Sequence, residues 1–552
     1  MSTSILYDKG SFVVSAPFSM KNKLKAIPGR KWDSATQAWI YPATQTMARR
    51  IAVIMNGRDI EACDEFHSML DGYKSRDNAI YPPGEVGQDF SPRDFMKILG
   101  PKGFATEPKA HQIEGARRIL HYDSVYLNHD PGTGKTYTSI IATELLHPGL
   151  TLIVTPVNVI EQWVSQWATH SPRTPLTILP LDASFSSAAK ARKLQSALRL
   201  QRPTVVITNY ESVWRGDLGE LILDQDWDLV IADEIHMIKS HERKARAANF
   251  FARLMFSSNK RVGLSGTIMP NDPMDVFSQY RFLDPGLFGN SFYAFRSQFA
   301  VMGGYGNKQV VAFRNDETMK KLMKTITHRV TKDEVLDLPS ISFETRPCLL
   351  GRDARKLYAD IMSSFKAELE DATISVPNAL VELIRLQQIT GGSVNDDDGN
   401  HHRVDSSKRD CLQGLLEGFN RDEPMVVFCR FHHDLDAVLE VCKKLGRTCG
   451  ELSGRGKDLA SFQKGNVDTL AVQVRSGGVG VELQRSAYAI FYSLGFSLGE
   501  YEQAVSRVHR QGQERRTVIY HLICKDTVDE LVYSALQKKS KVVDDILDEL
   551  RG

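Results

Sequence analysis

The sequence predicts an α/β fold: two doubly wound parallel-sheet lobes, preceded by a small α+β domain. Three observations carry this. From residue 104 onward, short apolar runs alternate with helical stretches. The runs are Leu152 to Val154, Val205 to Ile207, Leu229 to Ile231 and Val262 to Leu264 in one half. In the other half they are Met425 to Phe428, Leu470 to Val474, Ala489 to Tyr492 and Val518 to Leu522. Strands that are apolar throughout are covered on both faces, as in parallel sheets flanked by helices. The chain has 552 residues, room for three or four domains at roughly 100 to 200 residues each. A turn-rich stretch, Tyr-Pro-Pro-Gly-Glu-Val-Gly from residue 81, separates these alternating halves from a different texture upstream.

Taken in order, residues 1–75 form the small domain, with strand-like Phe12-Val13-Val14 and Trp39-Ile40-Tyr41, an Ile27-Pro28-Gly29 turn and a helical pattern from Thr44. Trp32 and Trp39 are expected in its core. Residues 76–103 read as a linker, 104–290 as the first lobe, 291–420 as helical insertions and a connection, and 421–552 as the second lobe. The connection includes loops at 302–308 and 391–403; Asp396 to Asp398 with His401 and His402 read as a solvated polar loop rather than a metal site. A capping box, Thr527 with Glu530, opens a C-terminal amphipathic helix carrying Leu531, Val532, Ala535, Leu536, Val543, Ile546 and Leu547.

Composition excludes several classes. With 69 Lys+Arg against 67 Asp+Glu, 42% hydrophobic and 25% charged residues, the chain is neither disordered nor fibrous. Seven cysteines, never spaced as CxxC, indicate neither a disulfide framework nor a zinc site, and a reducing cytosol fits them. The N-terminus lacks a signal pattern and no apolar stretch is long enough to span a bilayer, so a cytoplasmic protein is expected. Residues 1–60 hold nine basic and three acidic side chains, hence +6, which leaves 2 − 6 = −4 for the remainder. A positive field on a small module suits a polyanion.

The chemistry-bearing residues fall into three groups. Asp130-Pro131-Gly132-Thr133-Gly134-Lys135-Thr136 lies between an apolar stretch, Val125 to Leu127, and a helical one. Gly132, Thr133 and Gly134 let backbone N–H groups converge on phosphates, Lys135 supplies a point charge, and Thr136 offers a hydroxyl to Mg²⁺. His129 stands where the strict pattern has glycine. Downstream, Trp227 to Ala232 leads into Asp233-Glu234-Ile235-His236, two carboxylates at the end of a buried strand. Asp233 suits the Mg²⁺ shell, and Glu234 the orientation and deprotonation of an attacking water. Near the C-terminus, Arg507 and Arg510 are three residues apart, which would place two guanidinium groups on one helical face, suited to phosphoryl transfer. The loop in one lobe and the arginines in the other imply an ATP site at the cleft, with lobe closure coupled to nucleotide.

From about 104 to 535 the chain resembles the superfamily 2 helicase motors with RecA-like lobes, specifically the SWI/SNF-type double-stranded DNA translocases. Phe104, Pro108, His111 and Gln112 resemble the adenine-reading segment, with Gln112 in the base-contacting place. Lys135 and Thr136 match the first motif, and Asp233, Glu234 and His236 the second, followed by Ile238-Lys239-Ser240. Leu264-Ser265-Gly266-Thr267 matches the third, so the resemblance gives His236, Ser265 and Thr267 a coupling role. Ser476 to Gly480 and Gln503 to Gln513, ending His-Arg-Gln-Gly-Gln, match the fifth and sixth, with Gly480 and Gln503 on the nucleotide side. The chain departs from the branch at His129-Asp130, Ile268 and Ser506, none of which removes a catalytic group.

The resemblance implies ATP and Mg²⁺ as cofactors and a DNA path through Thr155, Pro156, Thr208, Tyr210, Arg430, Arg475 and Gly477. Trp163 and Trp167, four apart on a helix, read as core packing rather than a stacking platform. Residues 10–55 resemble the HARP-type domain of annealing helicases and fork remodellers, through Phe12, Val14, Ile27-Pro28-Gly29-Arg30, Trp32-Asp33, Trp39 and Pro42. Lys21, Lys23, Lys25, Arg30 and Lys31 are its candidates for holding branched or single-stranded DNA. The expected protein is an ATP-dependent DNA translocase that rewinds, anneals or regresses branched DNA, monomeric, nucleoid-associated in a bacterial or phage-infected cell. Replication or recombination proteins are its expected partners. An RNA-directed helicase and an ATP-gated DNA clamp with little turnover are the alternative readings.

Overall fold

The structure, a computed structural model, describes residues 3–17, 20, 24–25, 27, 30–55, 60–78, 104–171, 176–238, 245–266, 273–303, 309–370, 376–395, 401–474 and 481–538. The chain divides into two compact units, Met1–Val335 and Leu336–Gly552.

The first unit begins with a five-stranded sheet in the order β3-β4-β2-β1-β5, from β1 (Thr3–Asp8), β2 (Ser11–Ser15), β3 (Lys31–Asp33), β4 (Ala38–Pro42) and β5 (Ile60–Ala62). Helices Gln45–Met55 and Asp64–Asn78 complete this module, and Ile5, Phe12, Val14, Tyr41, Met47, Ile51 and Phe66 form its core. Trp39 is buried, but Trp32 is 43% exposed, which corrects the expectation that both are core. The reason is positional: β3 is a three-residue edge strand, so Trp32 covers Trp39 from outside, ring centroids 4.8 Å apart.

Three close approaches fix the module to the rest of the first unit. The Gln45 N–H donates to Asp123 Oδ2 at 3.0 Å and the Thr44 hydroxyl to Asp284 Oδ1 at 3.2 Å, all buried. Gly10, at φ +75°, approaches the neighbouring layer so closely that a Cβ there would lie 2.1 Å from the Phe256 carbonyl oxygen.

The larger sheet of this unit is seven-stranded and wholly parallel, ordered β14-β6-β11-β10-β7-β9-β8. Its strands are β6 (Ser124–His129), β7 (Leu150–Thr155), β8 (Thr177–Leu181), β9 (Thr204–Asn209), β10 (Trp227–Asp233), β11 (Ser258–Leu264) and β14 (Thr327–Val330). The predicted apolar runs sit inside β7, β9, β10 and β11. Edge strand β14 escapes the apolar-run criterion because it carries Thr327, His328 and Arg329, whereas in edge strand β8 the apolar run is interrupted by Pro180. Between β11 and β14, β12 (Ala300–Gly303) and β13 (Gln309–Phe313) make a separate antiparallel hairpin.

In the second unit, β15 (Ile341–Cys348), β18 (Met425–Cys429), β19 (Cys449–Leu452), β20 (Thr469–Gln473), β21 (Tyr488–Phe491) and β22 (Thr517–Cys524) form another parallel sheet, ordered β15-β22-β21-β18-β20-β19. The doubly wound α/β expectation is therefore met in both units. The stretch 291–420 is not a block of its own: β14 completes the first sheet, and β15 is an edge of the second. Part of 391–403, expected as a loop, pairs as β16 (Ser393–Asn395) with β17 (His401–Arg403); Asp396 to Asp398 lie outside the described residues. Helix Val528–Gln537 buries Val532, Ala535 and Leu536, and its Thr527 cap accepts from the Asp529 N–H at 3.3 Å. Val543, Ile546 and Leu547 lie outside the described residues. No helix among the described residues is long and apolar enough to cross a membrane.

Candidate nucleotide site

Parallel strands present their C-terminal ends to one edge of the sheet, and there the first unit gathers its chemistry. Strand β6 ends at His129, the glycine-bearing loop comes next, and helix Lys135–Leu146 begins directly after it. Gly134 caps that helix at φ +91°, and a Cβ there would lie 2.2 Å from Gln112 Nε2, so only glycine fits. Gln112 is buried; its Nε2 donates to the Thr133 carbonyl at 3.3 Å, and its Oε1 accepts from the Lys109 N–H at 2.9 Å. His111 Nε2 lies 2.8 Å from the same Thr133 carbonyl. The segment expected to read adenine thus rests on the loop backbone.

Lys135 Nζ donates to the His129 carbonyl at 2.9 Å, folding the ammonium back over the loop. Thr136 occupies the second position of the helix, in the first turn, whose N–H groups have no partner within a helix and suit an anion. The sequence reading missed Arg329 on β14, which pairs with Asp130 at 2.6 Å and donates to the Asn128 carbonyl at 3.0 Å. It had no signal, because the pair spans about two hundred residues.

Asp233 ends β10, two strands away from β6, and is buried. Its Oδ2 accepts from Trp163 Nε1 at 2.9 Å and from the Thr155 hydroxyl at 3.0 Å. Its Oδ1 accepts from the Glu234 N–H at 3.0 Å, and its carbonyl from the Tyr210 hydroxyl at 2.7 Å. Burial pushes its pKa up to about 6 and the Glu234 charge pushes the same way, against the Trp163 and Thr155 hydrogen bonds and the Lys135 charge. Glu234 sits in the left-handed region, φ 50° and ψ 52°, a conformation costing about 1–3 kcal/mol in a non-glycine residue and typical of functional sites. Its Oε2 lies 3.3 Å from His236 Nδ1 and 3.5 Å from the Ser265 hydroxyl, while His236 Nδ1 lies 2.9 Å from Ser265 Oγ. The sequence-predicted Glu234, His236 and Ser265 therefore meet; Thr267 lies outside the described residues.

Three expected DNA contacts are corrected. Thr155 and Thr208 are fully buried and Tyr210 nearly so; Thr155 and Tyr210 turn inward onto Asp233. Every residue of β9 is buried, because this strand is inside the sheet and covered on both faces. Pro156 is half-buried. Trp163 and Trp167 are core residues, as the packing reading expects, yet each indole N–H holds a carboxylate: Asp233 for Trp163, and Glu144 at 3.2 Å for Trp167.

In the second unit, Arg430 is half-buried; it donates to Gln387 Oε1 and stacks on Phe496, 4.3 Å from the ring centroid. Gln503 and Arg507 lie on helix Leu498–Val508. That helix ends before Arg510, so the expected common helical face is corrected: a turn through His509 carries Arg510 to Glu482, at 3.1 Å. Ser506 fits within the helix by donating its hydroxyl to the Gln503 carbonyl at 2.7 Å. Gln513 donates to the carbonyls of Gln484 and Ser486 at 3.1 and 2.8 Å, bracing this turn. Arg475, Gly477 and Gly480 lie outside the described residues, as do Lys21 and Lys23; Lys25, Arg30 and Lys31 are exposed on the N-terminal module.

The SNF2-related domain model matches residues 111–391, and the helicase conserved C-terminal domain model residues 407–512. "Putative protein p41" of Acyrthosiphon pisum secondary endosymbiont phage 1 is 26% identical over 474 residues, 82% of this chain and 99% of that protein. "Uncharacterized ATP-dependent helicase YqhH" of Bacillus subtilis is 23% identical, covering 80% of each. "DNA excision repair protein ERCC-6" of Mus musculus is 25% identical over 70% of this chain, which spans only 28% of that protein's length. Among solved structures, the Sulfolobus solfataricus SWI2/SNF2 ATPase core in complex with dsDNA aligns over 82% of this chain and 95% of that one, at 21% identity and TM-score 0.39. With the SNF2-related model covering half its length and the helicase C-terminal model adjoining it, the chain belongs to the SNF2-related family of helicase-type ATPases.

Proposed function

We propose that this protein is a Mg²⁺-dependent ATPase that translocates on double-stranded DNA and remodels or anneals branched DNA, hydrolysis being coupled to lobe closure. The observation that carries the ATPase part is the Glu234–His236–Ser265 cluster beside a clamped Asp233, at the sheet edge that also holds the phosphate loop. The loop's N–H groups and Lys135 take the phosphates. The Thr136 hydroxyl and Asp233 carboxylate are hard oxygen donors, the set that suits Mg²⁺ rather than a softer ion. When bound, Mg²⁺ neutralises phosphate charge and orients the γ-phosphoryl group. Glu234 orients water and takes its proton; His236 and Ser265 hold the carboxylate in place for that. Arg507 and Arg510 are proposed to stabilise charge on the transferring group.

Support for DNA comes from relatives that include a DNA excision repair protein and ATP-dependent helicases. Exposed Lys25, Arg30 and Lys31 on the N-terminal module support a phosphate backbone as its ligand, and the resemblance of residues 10–55 to a HARP-type domain is the basis for preferring branched DNA. A bacterial or phage-infected cytoplasm, a monomer, and replication or recombination partners complete the proposal.

Steady-state ATPase activity of wild type and Glu234→Gln tests it, with no polymer, blunt duplex DNA, forked DNA, single-stranded DNA and RNA at fixed low salt. Stimulation by duplex or forked DNA that Glu234→Gln abolishes is the expected result. Stimulation by RNA alone makes the protein an RNA-directed helicase; polymer binding without turnover makes it an ATP-gated clamp.

A further inference from the structure

Asp233 is held unlike a carboxylate that merely ends a strand. Both hydrogen bonds to its Oδ2 come from side chains outside the acidic motif: Trp163, on helix Ile160–His170, and Thr155, the last residue of β7. The Tyr210 hydroxyl fixes the backbone of the same residue from just beyond β9. Trp163 is fully buried, so water does not replace its donor, and its indole N–H is spent on the acid rather than on a main-chain carbonyl. With two donors on Oδ2, the carboxylate cannot turn about its last torsion without breaking a buried, charge-assisted hydrogen bond.

We infer that Trp163, with Thr155, is a positioning residue that sets the orientation of the Asp233 carboxylate for a divalent cation. The inference rests on the ATPase reading of the site and deepens it. Partners that orient a metal ligand govern affinity for the ion, whereas partners that only pack govern stability.

The neighbouring indole separates these roles. Trp167 lies 6.4 Å from Trp163 on the same helix, is equally buried, and spends its N–H on Glu144 instead. Trp163→Phe and Trp167→Phe thus remove the same atoms from the same layer, and only the first touches Asp233. Thr155→Val preserves side-chain shape and removes the second donor.

The full-length chain is tested as wild type and these three variants. Mn²⁺ affinity of the ADP complex is read by electron paramagnetic resonance, and affinity for a fluorescent ADP is read in EDTA. Trp163→Phe and Thr155→Val are expected to weaken Mn²⁺ binding by about tenfold or more, the scale for removing partners that orient a ligand. Metal-free nucleotide binding should stay at the wild-type value, and Trp167→Phe should bind Mn²⁺ as wild type does. Should Trp163→Phe fold poorly, Thr155→Val alone decides. Wild-type Mn²⁺ affinity in Thr155→Val, or an equal loss in Trp167→Phe, overturns the inference while leaving the ATPase reading intact. A wild-type chain that binds no nucleotide overturns both.

Discussion

The imidazoles of His129 and His328 lie 3.0 Å apart, Nε2 to Nδ1, at the point where β6 runs into the phosphate loop. His111 joins them, its ring centroid 6.2 Å from that of His129. Burial pulls all three pKa values below the ordinary histidine value, that of His328 to about 3 and that of His129 well below 6.5. The charged groups facing them, Lys135 and Arg329 at His129, Arg118 at His328 and Lys109 at His111, push in the same direction.

This cluster makes stability depend on pH. In the unfolded chain these histidines take up protons near pH 6.5, while in the folded chain burial opposes their protonation. The unfolded state therefore binds more protons below that pH, and stability falls on acidification. For His328 the penalty is absent well above pH 6.5 and grows progressively as pH drops toward 3. Over that range His328 costs on the order of 1 kcal/mol per pH unit. Urea unfolding of wild type and His328→Gln at pH 7.5 and 5.5 measures this. The midpoint of His328→Gln should fall less on acidification than that of wild type; parallel falls would show that His328 is not a source of acid sensitivity.

Much of the site was legible in the sequence because its chemistry is local. The Asp130 to Thr136 loop and Asp233-Glu234 each sit within one short segment, after an apolar strand whose burial follows from its composition. Partners supplied by another element were not legible. Trp163 and Asp233 are seventy residues apart, and only the order of β10 beside β7 brings the helix after β7 onto the acid. Thr155 and Tyr210 occupy the segments the resemblance assigns to a DNA path, but side-chain direction at a strand end depends on what covers the sheet. Arg510 illustrates a different limit. Three-residue spacing implies a shared face only while the helix continues, and here it stops at Val508, with Gly512 at φ +93° in the turn beyond.

Asp123 is where the N-terminal module meets the first large sheet. Its Oδ2 accepts from the Gln45 N–H, and Arg261 Nη2 lies 3.7 Å away. Asp123→Ala leaves that buried N–H without its acceptor, at a cost of about 1–3 kcal/mol. Thermal unfolding should begin earlier in this variant, and amide exchange should accelerate in helix Gln45–Met55 while β18 and β21 of the second unit keep wild-type protection. Uniform acceleration across both units would mean that Asp123 supports the whole chain rather than the attachment of the module.

The basic residues of that module lead to the opposite pattern, with binding weakened and stability kept. Lys25 and Lys31 are exposed, and Arg30 makes a long hydrogen bond to the Ile27 carbonyl, 3.5 Å. Reversing exposed charges of this kind shifts stability by less than about 0.5 kcal/mol. If they hold DNA phosphates, every phosphate no longer neutralised lowers the slope of log affinity against log salt by about 0.9 on duplex. The triple variant Lys25→Glu, Arg30→Glu, Lys31→Glu should therefore bind forked DNA more weakly and with a shallower salt dependence, at an unchanged melting temperature. Fluorescence anisotropy of labelled forks across a salt series reads both quantities. A triple variant that keeps the wild-type slope would remove this face of the module from the DNA path and return the Lys31–Trp32 edge to the role of a solvated surface.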